Sequence, residues 1–248
     1  RRLPGVVRHY LGSSIFPEVL RQQALKLSAS GQELGGDMLF CRRLGFSGTP
    51  SQLLPLELGQ CIYDRGTDGQ LQHVLTSPKV VSYVVVGAGW SVKGLLDLVA
   101  RAEQPRYHAL IDAGALITGM TNLEVASYLL REGLAWCEGV VFLDEGDRKM
   151  VLVRAGLRVV PLHQCDVPKP RRFAFYDQVH TMGQDIDHVL NARAALTLGK
   201  DMSFRDYAQG SYRMRGVGQG QTLDLVVIPE VARLIADQLG HAAPPAEA

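Results

Sequence analysis

Between residues 173 and 229 the chain alternates three short apolar runs with polar loops and a basic, Ser-initiated segment. The runs are residues 173–176, 194–198 and 223–228, too short for helices and bounded by Gly, Asp and Pro. Small or β-branched runs of this length read as strands buried on both faces, which requires helices covering a parallel sheet. The chain is therefore expected to be α/β, a parallel sheet flanked by helices, with its working groups on the loops at one sheet edge.

The preceding residues repeat the pattern. Residues 80–86 are a continuous β-branched run read as a buried strand, and Ser91 is placed to cap a helix with Val92, Leu95, Leu96 and Val99 on its apolar face. Residues 107–111 read as a strand. Thr121 and Glu124 then form a capping box, each satisfying a free backbone N–H at the start of a helix presenting Val125, Tyr128 and Leu129 to the sheet. Residues 139–143 supply the next strand. Asp144 and Glu145 after it look like a magnesium-binding strand end, but Glu145-Gly146-Asp147 is turn chemistry and reads as a polar turn into a strand over 149–153. Gly87-Ala88-Gly89 begins no dinucleotide loop, because the third glycine stands at Gly94.

Composition bounds the rest. At 248 residues, 46% of them hydrophobic, the chain is long enough for a buried core and has the makeup of a globular protein. No apolar run approaches the roughly 18 residues that span a bilayer, so no membrane partner is expected. A net charge of +1 gives no global attraction to nucleic acid, which would need a local patch. Pro168-Lys169-Pro170-Arg171-Arg172 is a candidate cationic edge or a solvated linker. Cys41, Cys61, Cys137 and Cys165 are far apart and include no CxxC, which points to a reduced, intracellular chain with neither a disulfide framework nor a zinc site. The opening Arg1-Arg2-Leu3-Pro4 carries no signal peptide and reads as the continuation of a larger polypeptide.

Four groups of residues carry candidate chemistry. Thr181-Met182-Gly183-Gln184-Asp185-Ile186 places a hydroxyl and a carboxylate around a glycine that permits a tight turn. Ser203 and Asp206 start a helix expected to carry Gln209, Arg213 and Arg215, with Gln209 and Arg213 four apart on one face. Ser47-Gly48-Thr49-Pro50 follows an apolar run as a tight polar turn. Cys165 with His163 or His180 is the local pairing available for a thiol nucleophile.

Thr-x-Gly-x-Asp-Ile followed by Gln-x-x-x-Arg, with Ser47-Gly48-Thr49 upstream, resembles motifs V, VI and III of superfamily 2 helicases. The resemblance spans residues 40–229. It implies the RecA-like C-terminal lobe of the P-loop NTPase superfamily over 105–238. The end of a first lobe would occupy 1–52, a connector with a strand and a helix 53–104, and an unstructured tail 239–248. It also implies that Ser47, Thr49, Thr181, Gly183, Asp185 and Gln209 bind nucleotide or couple it to substrate, and that Arg213 and Arg215 act as arginine fingers. The second arginine departs from the family pattern, which places it where Gly216 stands. No G-x-x-x-x-G-K-[ST] occurs, so ATP and Mg2+ are expected only with a phosphate-binding lobe supplied from elsewhere, and nucleic acid is a possible partner. The wording FLDEGDRKMVL, FYDQVHTMGQDI and YRMRGVGQGQ is also similar to a family of very large eukaryotic proteins described as ubiquitin thioesterases. That similarity implies an alternative, ubiquitin-directed thiol hydrolase using Cys165 and His180. A degenerate lobe serving as a scaffold is the third reading.

Overall fold

A computed structural model of the chain describes residues 67–181 and 185–240. The chain divides into two compact units, residues 1–74 and 75–248. Helix α1 (Thr67–Leu75) is the described part of the first and ends at the boundary.

The second unit is built on one eight-stranded sheet. Its strands are β1 (Val81–Val85), β2 (Ala109–Ile111), β3 (Gly139–Leu143), β4 (Lys149–Val153), β5 (Arg158–Pro161), β6 (Arg172–Tyr176), β7 (Arg193–Leu198) and β8 (Thr222–Val227). They lie in the order β1-β8-β7-β2-β6-β3-β4-β5. The first six are mutually parallel, and β4 and β5 extend the sheet by two antiparallel pairings. Every residue of β2 and β3 is buried, as an interior parallel strand covered on both faces requires. The expected buried strand at 80–86 forms, but as the edge strand β1, with Ser82 and Tyr83 exposed. Residues 81–100, read from sequence as part of a connector, thus supply strand β1 and helix α2 to this sheet and its core.

Helices α2 (Val92–Ala100) and α3 (Asn122–Glu132) bury Leu95, Leu96, Val99, Val125 and Leu129 in that core. Both caps form as their residues predict: Ser91 Oγ accepts from the Gly94 amide, and Thr121 and Glu124 close a capping box. The helices meet where the Tyr128 hydroxyl donates to Asp97 (2.9 Å) and the Leu134 amide donates to the Ala100 carbonyl (2.7 Å). The end of α3 is completed by Arg154, the residue after β4. The Arg154 guanidinium donates to the carbonyls of Leu130, Gly133, Leu134 and Cys137, satisfying acceptors that a helix end leaves open.

The turn between β3 and β4 is the polar turn expected at residues 144–148. Asp144 Oδ1 accepts from the amides of Gly146 and Arg148, and Asp147 takes the left-handed conformation. The Lys169–Arg172 cations are tied to neighbours: Lys169 to Asp187, Arg171 to Glu138, and Arg172 to the carbonyls of Val167 and Cys165. Helices α4 (Phe204–Ser211) and α5 (Pro229–Leu239) complete the unit. No described helix is long and apolar enough to cross a membrane.

Candidate functional site

Ser203 starts α4 with a second capping box, accepting from the Asp206 amide while Asp206 accepts from the Ser203 amide. The helix is shorter than its sequence pattern predicts. It ends at Ser211 with Tyr212 as its cap, and tight bonds follow from the Arg213 amide to Gly210 and from the Met214 amide to Ser211. Gln209 therefore sits in the last turn of α4, whereas Arg213 and Arg215 lie beyond it on a reversing turn. The expectation of all three on one helix is corrected. The turn is held by Gln221, whose side-chain carbonyl accepts from the Gly216 amide (2.7 Å) and whose amide group donates to Val189 (2.8 Å).

That turn aims both arginines at Asp185, in the connection from β6 to β7. Arg213 donates to Asp185 Oδ1 at 2.7 Å, and Arg215 grips the same carboxylate through Nε to Oδ1 (3.2 Å) and a terminal nitrogen to Oδ2 (2.5 Å). The Arg215 guanidinium also lies 4.3 Å from the centre of the Tyr212 ring, a cation–π contact. The two cations differ in access. The Arg213 side chain is 7% exposed and that of Arg215 24%. Burial pushes the Arg213 pKa down, and the Asp185 charge opposes that shift. Buried Tyr176 braces the next residue, accepting from the Ile186 amide (3.1 Å) and lying 3.1 Å from His188 Nε2. Desolvation lowers His188 to about 4, so it is neutral at physiological pH.

Thr181 is buried, and its hydroxyl donates to the Gln178 carbonyl (2.8 Å), closing its own turn. Gln209 is half-buried and is not among the residues bonded to Asp185. Ser47, Thr49 and Gly183 lie outside the described residues.

His180 and Cys165 are not brought together. His180 follows the end of β6, with Nδ1 2.5 Å from Asp177 and Nε2 2.7 Å from Asp147 in the β3–β4 turn. Both ring nitrogens are occupied by carboxylates. The Cys165 carbonyl is held by Arg172 at the start of β6, a strand roughly 16 Å long. Cys137 is buried, and desolvation pushes its thiol up to about 11, far from a thiolate.

Two polar groups in this unit were not singled out from sequence. At the carboxyl ends of the central strands, buried Asp112 accepts from the amides of Leu116 and Ile117 and from the Thr197 hydroxyl. Asn122 donates to the Leu143 carbonyl and to Asp177. The available signal was an Asp directly after an apolar run, at residues 109–112. Among the described residues no group of three or more His, Cys, Asp or Glu side chains is arranged to hold a metal ion. Comparison with protein-family models, with curated proteins and with solved structures finds no match in any of the three.

Proposed function

We propose that the unit from β1 onward is the second, RecA-like lobe of a helicase-like, nucleotide-dependent motor, and that it supplies the arginine side of an ATP site. The observation that carries this reading is the convergence of Arg213 and Arg215 on Asp185, 28 and 30 residues away in sequence. These are three of the residues that the helicase resemblance singles out, and a mostly parallel sheet flanked by helices supports the same reading. The turn fixed by Gln221 brings two guanidinium groups to one carboxylate. Arg215 has the accessible guanidinium. Arg213 and Arg215 together fix Asp185.

ATP fits this donor set only in part. The residues present offer guanidinium groups, which stabilise charge as it spreads over a transferring phosphoryl group. They offer no phosphate loop and no described carboxylate cluster for magnesium, which would come from another lobe. The role of these residues is then to orient: Asp185 holds the arginines in place, and Arg215 reaches the phosphate edge.

The test is ATP hydrolysis by a longer polypeptide carrying both lobes, beside the 248-residue chain alone. The short chain is expected to turn over no ATP and the longer one to hydrolyse it. Arg215→Ala in the longer polypeptide is expected to lower kcat by about 10³-fold or more, the scale of an arginine finger, without loss of folding. Turnover by the short chain, no turnover by the longer one, or an unchanged rate in Arg215→Ala overturns the proposal.

A further inference from the structure

A cavity lies at the sheet edge opposite the one where α/β proteins usually bind ligands. It opens at the amino ends of the parallel strands and has a volume of about 840 Å³, within the range of small-molecule sites. None of Asp185, Arg213 or Arg215 lines it.

Its charged lining is three cations, Lys79, Arg106 and Arg193, against one carboxylate, Asp224. Asp224 is buried and committed. Oδ1 accepts from Ser82 (2.5 Å), and Oδ2 accepts from the Tyr107 hydroxyl (2.6 Å) and from Arg193. Arg193 itself lies over the Tyr107 ring, 4.4 Å from its centre, and donates to the Pro105 carbonyl. Arg193 and Asp224 thus offset one another and form a rigid polar floor.

Lys79 and Arg106 are left in excess. No described carboxylate lies within ion-pair distance of either. Arg106 is held over the Trp136 ring, 4.3 Å from its centre, so its guanidinium is positioned without being neutralised. Its charge adds to desolvation in lowering the neighbouring His108 to about 4, which keeps that ring neutral. Pro78 and Pro105 stiffen the lining, and Gln104 and Asn191 add amide groups to it. A fixed, cationic, hydrogen-bonding cleft of this size matches a phosphate ester, because Lys and Arg bind phosphate oxygens through charge-assisted bonds.

We infer that the amino-end cavity is a binding site for a small phosphate-bearing anion, with Lys79 and Arg106 as its recognition residues. The chemistry is shared by a free phosphorylated metabolite and by the backbone of a single-stranded nucleic acid. A cleft of about 840 Å³ is of small-molecule size, so the free molecule is the occupant proposed. The probe is inorganic pyrophosphate, titrated into the 248-residue chain at low ionic strength and followed by calorimetry and by Trp136 fluorescence. One saturable site is expected, weakened at least tenfold in the Lys79→Gln/Arg106→Gln double variant and unchanged in Arg158→Gln, an exposed cation on β5 at the other end of the strand order. Both substituted residues are exposed or half-buried, and an unchanged thermal midpoint checks that the variant is folded. The inference is overturned by an absence of saturable binding, by loss of binding in Arg158→Gln with retention in the double variant, or by binding of an oligonucleotide but not of pyrophosphate. It does not depend on the ATP reading, whose test reads Arg215.

Discussion

At His180 one imidazole joins two carboxylates from different loops. Asp177 belongs to the residues after β6 and is itself held by Asn122, while Asp147 belongs to the β3–β4 turn. Burial alone would lower the His180 pKa, but the bonds to Asp147 and Asp177 outweigh it, so the folded-state value is raised above the ordinary 6.5. The sign follows from linkage. A raised folded pKa means the protonated form is favoured by folding, so the stabilisation is complete below pH 6.5 and is lost as pH rises through the folded value. Wild type is therefore expected to exceed His180→Gln in thermal midpoint most clearly near pH 5.5. The gap should narrow steadily above pH 7. A gap constant from pH 5.5 to 8.5 in paired melting curves would show that the charge on His180 contributes nothing. From sequence, His180 was legible only as a possible partner for Cys165, because the carboxylate that completes its site lies 33 residues away in a turn.

Helix ends show the same division one level up. The starts of α2, α3 and α4 were readable because a cap needs only residues three apart: Ser91 with Gly94, Thr121 with Glu124, Ser203 with Asp206. Their ends were not. The close of α3 depends on Arg154, just after β4, and the close of α4 precedes a turn held by Gln221. Gly133, which ends α3, is in extended backbone with no conformational need for glycine, yet a Cβ there would stand 2.4 Å from the Ala100 carbonyl oxygen. The contact is backbone, so no side chain can yield. Gly133→Ala is expected to push the ends of α2 and α3 apart and to cost about 1–3 kcal/mol, the usual range for overpacking, in chemical denaturation. Stability equal to wild type would mean that the two helix ends separate freely.

Across the whole molecule, the core of the second unit draws on residues from Val85 to Ala232, so the unit holds its own apolar interior. Residues 75–248 expressed alone are expected to unfold in a single cooperative transition, with coincident loss of far- and near-ultraviolet circular dichroism. A gradual or non-coincident melt would show that residues 1–74 are needed to complete the fold. Reading residues in order was enough to find the strands, the caps and the β3–β4 turn. Those features rest on hydrophobic period and on hydrogen bonds between residues a few positions apart, which any stretch of chain carries with it. Strand order, the exposure of β1, the length of α4, the separation of Cys165 from His180 and the cationic cavity came only with the folded sheet. Each depends on partners brought from afar, as Ser82 and Asp224 are across 142 residues, and a parallel sheet sets such pairings by how its crossovers pack rather than by any local pattern.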